Sequence, residues 1–226
     1  MEPSYYMKYI LSLKEAQKAI LLSQGIHAEH KLGHGKQATY KAITSINYVQ
    51  IDSISVVERA HHHCIWNRAE NYLPIHIEQL LEDKMIFEYW SHAASYLPMN
   101  DYRYSLPRKN AIAKGETHWF SKDKKAMALV LERIKAEGPL QAKDFKDSRE
   151  KNNGWWDWKP AKKALEQLFM EGDLMVANRQ GFQKVYDLTE RVLPSTLDIS
   201  IPSDEAYYKH LIINYLTANA IGTPQQ

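Results

Sequence analysis

Gln50 and Asp52 stand two residues apart in the apolar run "YVQIDSI". On an extended strand, residues i and i+2 project from the same face, so this spacing sets an amide beside a carboxylate. An ionised carboxylate can position and deprotonate a water, and it can stabilise an oxocarbenium-like sugar. A neighbouring amide donates and accepts, so it can orient that water or hold a substrate. The same two side chains also suit a strand end, where they satisfy backbone donors. Spacing alone does not choose between these roles. Val49, Ile51 and Ile54 are expected on the other side, anchoring the strand.

Other groups compete for attention. "AHHHC" resembles a metal site, but His61, His62, His63 and Cys64 are consecutive and point in different directions. A helix with packed or exposed histidines fits them better, and no metal is expected. Cys64 sits beside Ile65 and Trp66 and reads as an inert buried thiol. In "EYWSHAASYLP", an extended chain would put Glu88, Trp90 and His92 on one face. His92 is the possible active-site neighbour there, and a structural histidine is the plainer reading. "GWWDWKPAKK" is basic and aromatic at a helix start. Lys159, Lys162 and Lys163, with Arg179 and Lys184 downstream, are candidates for phosphate contacts. The plainer reading is a solvated face, with Trp155, Trp156 and Trp158 used in packing.

The elements that must carry these residues fall into three segments. In the first, to about residue 120, Ser12 and Glu15 form a capping-box pattern ahead of a helix striped by Ala16, Ala19, Ile20 and Leu22 and stopped at Gly25. "QATYKAITSIN" reads as a second helix, "YVQIDSI" as a short strand, and "PIHIEQLLEDKM" as a helix begun by Pro74. "DYRYSLPRKNAIAKGETHW" reads as irregular. The second segment, 121–195, gives a helix closed by Gly138-Pro139, a short helical turn "LQAKDF", a helix from Lys159 to Glu171 with Pro160 at N1 and Gly172 at C′, and two strands about an "NRQG" turn. That order is the order of a winged helix-turn-helix. In the third, 196–226, Ser203 caps a helix with Ile212, Ile213 and Leu216 inward, and "TPQQ" reads as the start of a further helix, so the sequence looks cut inside a repeat. The fold class expected is mainly α with small β-hairpins (α+β), built as tandem winged helices.

The chain of 226 residues carries a net charge of +2, which permits nucleic-acid binding without arguing for it. A single cysteine rules out an internal disulfide and fits a reducing, cytoplasmic setting. No signal-peptide pattern and no run of about 20 apolar residues stands in the sequence, so neither export nor a membrane span is expected.

Four motifs together, "YVQIDSISVVERAHHH", "EYWSHAASYLP", "GWWDWKPAKKALEQLF" and "QKVYDLTERVLP", resemble the YcaQ/AlkX and AlkZ family of bacterial winged-helix DNA glycosylases, in the same order from about residue 12 to 222. The resemblance implies tandem winged helices around double-stranded DNA carrying alkylation adducts or crosslinks. It implies excision of N7-alkylated purines and unhooking of interstrand crosslinks, with no cofactor and a monomeric, nucleoid-associated protein. The family's Gln-Φ-Gln/Asp catalytic motif falls on Gln50, Ile51 and Asp52, in the Gln-Φ-Asp branch. Asp52 would then activate water for attack at C1′ and Gln50 would help hold it. Family members are longer than this chain. The alternatives are a non-catalytic winged-helix DNA-binding protein or regulator and, more remotely, a metal-dependent hydrolase using His61 to His63.

Overall fold

Ser12 accepts the Glu15 N–H and the Glu15 carboxylate reaches back to the Ser12 N–H at 2.8 Å, completing the capping box in a computed structural model of the chain. The structure describes residues 10–27, 32–116, 122–145 and 159–223. Trp155, Trp156 and Trp158 lie outside them.

The capping box opens α1 (Leu13–Ser23). There follow α2 (Gly35–Ser45), β1 (Val49–Gln50), α3 (Ala60–Trp66), α4 (Ile75–Glu82), β2 (Ile86–Trp90) and β3 (Ala94–Pro98). A 3₁₀ turn, Met99–Ser105, runs straight into α5 (Leu106–Ala113). This corrects the irregular reading of that stretch. Pro107 stands at the start of α5, where its missing N–H costs nothing, and so opens a helix instead of breaking one. Next come α6 (Lys124–Glu137), β4 (Leu140–Gln141), a 3₁₀ turn Ala142–Asp144, α7 (Pro160–Glu171), β5 (Leu174–Gln180), β6 (Gln183–Leu188), α8 (Thr189–Val192) and α9 (Asp204–Asn219). Gly138 and Gly172 close α6 and α7 at φ 89° and 95°, a region that favours glycine. The β5–β6 turn falls on Gly181 and Phe182, two residues later than the expected "NRQG", so Arg179 belongs to the strand.

Among the described residues the fold is mainly helical, with two antiparallel three-stranded sheets ordered β1-β3-β2 and β4-β6-β5. In each, the middle strand is the last in sequence and the first strand pairs across it. The order helix, strand, helix, helix, hairpin in α2–β3 is matched by helix, strand, 3₁₀ turn, helix, hairpin in α6–β6. The smaller core gathers Ile43, Val49, Ile65, Leu80 and Ile86. The larger takes Phe87, Tyr89 and Ile112 from the first segment together with Ile134, Leu165 and Leu174 from the second. β2 and α5 thus lock the two halves together. No helix among the described residues is long and apolar enough to cross a membrane.

Three packing expectations fail. Ile54 is exposed and lies beyond the strand, while Val49 and Ile51 are buried. Ile20 and Leu22 on α1 are exposed, and so are Ile212, Ile213 and Leu216 on α9. α9 mixes polar and apolar residues around its whole circumference, so its pattern does not define an inner side. The side it turns inward is instead the one with polar partners. Asn214 O accepts from Asn47 Nδ2, and Ala218 O accepts from Ser23 and Gln24.

Lys109 on α5 is buried, with Nζ 3.9 Å from the Tyr102 ring centroid and 4.6 Å from that of Tyr89. Burial pushes its pKa down to about 7, against about 10.4 for a solvated lysine. Between those values the unfolded chain binds a proton that the folded chain does not, so this group makes stability rise with pH. The urea midpoint is expected to climb from about pH 7 to 9, below the tyrosine range, and Lys109→Met is expected to flatten that climb. An unchanged slope in the variant would refute the assignment.

Candidate functional site

β1 hydrogen-bonds along β3, with Gln50 opposite Ser95, and the Ile51 N–H continues the ladder to Ala94 O at 2.7 Å. Val49 and Ile51 sink into the smaller core, which drives Gln50 outward. Asp52 is the first residue past the ladder. Its Oδ1 accepts the Ile54 N–H at 2.8 Å, a side-chain turn that fixes the carboxylate. Among the described residues Oδ2 takes no hydrogen bond.

Gln50 and Asp52 open onto one cleft of about 990 Å³. Trp90 and His92 stand on the same cleft, Trp90 at the end of β2 and His92 in the turn beyond it, where its ring meets Tyr48 edge-on at 6.2 Å. Glu88 is drawn away from them. It is fully buried and carries a bidentate ion pair with Arg179, so Glu88, Trp90 and His92 do not form one working face. The opposite wall comes from α9, through Tyr207, His210 and Asn214.

Sequence reasoning passed over several groups here. His61 is buried at the cleft, and its Nδ1 accepts the Asp52 N–H at 3.2 Å. Burial, helped by the nearby cations of Arg59 and Arg179, lowers its pKa to about 4. The ring is therefore neutral near pH 7 and keeps Nδ1 as an acceptor. The three histidines serve three partners: Asp52 for His61, Tyr72 Oη for His62 at 2.5 Å, and Glu58 O for His63 at 3.2 Å. Among the described residues, no group of three His, Cys, Asp or Glu is placed to hold a metal ion. Cys64 is half-buried, and its sulfur receives Arg68 Nη1 at 3.4 Å.

Asp101 also lines the cleft, and burial raises its pKa to about 6. His210 Nε2 lies 3.8 Å from it and stacks on Tyr104 at 3.5 Å. The signal for this wall was present in the sequence. Tyr207, His210 and Asn214 recur at spacings of three and four and so share one face of α9, although polar residues also stand elsewhere on that helix.

A family model described as "DNA glycosylase AlkZ-like" matches residues 43–226. The chain belongs to the AlkZ-like DNA glycosylase family. Such enzymes hydrolyse N-glycosyl bonds in DNA, so the family gives this chain a DNA substrate. The match begins at Ile43, inside α2, and takes in Gln50, Asp52, His61 and α9. No solved structure matches the chain.

The expected phosphate contacts divide into two groups. Lys159 is exposed at the N-cap of α7, and Lys162 and Lys163 follow on its first turn. Arg179 is held instead by Glu88, with Nε and Nη2 each 2.9 Å from a carboxylate oxygen. Lys184 lies 3.0 Å from Glu166 and 3.5 Å from Glu88. These two cations neutralise the buried Glu88 and the half-buried Glu166, where a phosphate would have to displace a carboxylate.

Proposed function

We propose that this member of the family hydrolyses the N-glycosidic bond of N7-alkylated purines in duplex DNA and unhooks interstrand crosslinks, with Asp52 activating the water. The observation that carries this reading is the placement of Gln50 and Asp52 on one open cleft, with one carboxylate oxygen fixed and the other unengaged among the described residues. In this reading Asp52 Oδ2 takes the water's proton and its charge stabilises the sugar cation. Gln50 orients the water, and His92 neighbours it. An N7-alkylated purine is already cationic, so it leaves without a strong general acid. A cleft open to solvent accommodates a crosslinked adduct that a closed pocket would refuse. No cofactor enters the scheme.

The repeated element order and common strand order support two winged helices, 1–120 and 121–195, with 196–226 belonging to a third. The reading treats the protein as a monomer on DNA. Lys159, Lys162 and Lys163 are the phosphate contacts, because they sit at a helix N-terminus, where backbone N–H groups also favour an anion. Arg179 and Lys184, given their carboxylate partners, are left out of that set.

Duplex affinity is then expected to fall steeply with salt, and each lysine-to-alanine change should lessen the log–log slope by about 0.9. Arg179→Ala should leave the slope where it was. A flat salt dependence, or equal effects from Arg179 and the lysines, would defeat this assignment of the basic face. The catalytic part is tested by base release from a duplex carrying one N7-methylguanine, revealed as alkali-labile sites.

A further inference from the structure

The chain leaves the cleft at Asp52 and returns to it at Ala60. The residues between, 53–59, carry Ile54, Val56 and Val57, which are 71%, 91% and 87% exposed. Three aliphatic side chains held in water on one short loop mark an interaction surface. The loop is tied down at both ends. Asp52 Oδ1 accepts the Ile54 N–H, and Ser55 pairs with Arg59 in an antiparallel bridge. Glu58 accepts the Arg59 N–H at 2.9 Å, and His63 contacts Glu58 O at 3.2 Å. The Arg59 guanidinium lies 4.1 Å over the Phe182 ring in the β5–β6 turn. Its apolar tip is therefore held in place, and all three of its side chains are β-branched and stiff at χ1.

We propose that Ile54, Val56 and Val57 form a wedge that enters the base stack of the duplex beside the target nucleotide. This rests on the reading of Asp52 as the catalytic carboxylate. Two residues of extended chain span at most about 7 Å, and successive nucleotides of one strand rise about 3.4 Å. The base step next to a C1′ presented to Asp52 thus lies within reach of Ile54. Phosphates select cations, so exposed aliphatic groups gain nothing on the backbone. Between bases they gain apolar contact, and side chains of this type unstack and kink duplexes. The kink would turn the target sugar toward the cleft without a closed pocket for the base. The Asx-type hydrogen bond couples the Ile54 end of the wedge to the carboxylate, so seating the wedge also bears on the position of Asp52.

The test uses the full chain with Asp52→Asn, so that base release cannot confound binding. The probe is a duplex with a tetrahydrofuran abasic-site analogue and 2-aminopurine as the next base. Binding is expected to raise 2-aminopurine fluorescence severalfold. Adding Ile54→Ser, Val56→Ser and Val57→Ser is expected to remove that rise while leaving the melting temperature and most of the low-salt affinity. A full rise with the triple variant would overturn the wedge. So would a parent chain that is dimeric in sedimentation and becomes monomeric on the triple change, since the patch would then be a contact between copies. The two readings fail separately. Unstacking without N7-methylguanine release by the Asp52 chain counts against the catalytic reading alone. Release without unstacking counts against the wedge alone.

Discussion

Asp52→Asn is expected to abolish release of N7-methylguanine, with the single-turnover rate falling by about 10²- to 10⁴-fold. The amide oxygen of asparagine can still accept the Ile54 N–H, so the turn at 2.8 Å survives and the loop keeps its shape. What disappears is the negative charge, both as proton acceptor for the water and as counter-charge for the sugar cation. Gln50→Ala removes only an orienting group and should cost less, roughly tenfold to a hundredfold. Neither residue lies in a core, so both variants should melt with the parent chain. The decisive measurement is the rate of alkali-labile site formation with enzyme in excess, beside binding to undamaged duplex. Intact binding with lost release places the chemistry on Asp52. Full activity in Asp52→Asn would take the chemistry away from Asp52, whereas no release by the parent chain itself would favour a non-catalytic DNA-binding protein.

Much of the fold was legible in the sequence because its signals are local. Ser12 with Glu15, Pro160 with Gly172, and Gly138 each fix a helix end through their own backbone chemistry, and each stands where the spacing puts it. Gln50 and Asp52 reach one cleft, although the ladder ends at Ile51 and the carboxylate is oriented by a side-chain turn, not by the pleat. The parts that did not read out depend on partners distant in sequence. His61 looked like one member of a metal-like run, yet its neighbour in space is the Asp52 backbone. The polar row of α9 faces the cleft because Asn47 and Asp101 wait there, and nothing within α9 announces them. Residues 101–113 read as irregular although they are helical, because Pro107 has opposite meanings inside a helix and at its first turn.

The Glu88–Arg179 pair shows the same limit and has the largest expected consequence for stability. Arg179 on a hairpin strand looks like a phosphate contact, but the bridge it makes joins β2 of one sheet to β5 of the other. Its side chain is 8% exposed and that of Glu88 0%. Nη1 also donates to Phe182 O at 2.6 Å, and the guanidinium lies 4.7 Å over the Phe182 ring. Removing one partner of such a pair strands a buried charge, at about 3–5 kcal/mol. Arg179→Met is therefore expected to lower the melting temperature by roughly 6–20 °C, taking about 2–4 °C per kcal/mol for a chain of this size. The double variant Glu88→Gln with Arg179→Met should recover a good part of that loss, since no buried charge is left alone and Lys184 retains Glu166. The same melts separate structure from recognition. If Arg179 worked chiefly at a phosphate, Arg179→Met would leave the melting temperature in place and lessen the salt slope of binding. A stranded Glu88 predicts the reverse, and the rescue by Glu88→Gln has no counterpart in a phosphate-contact role.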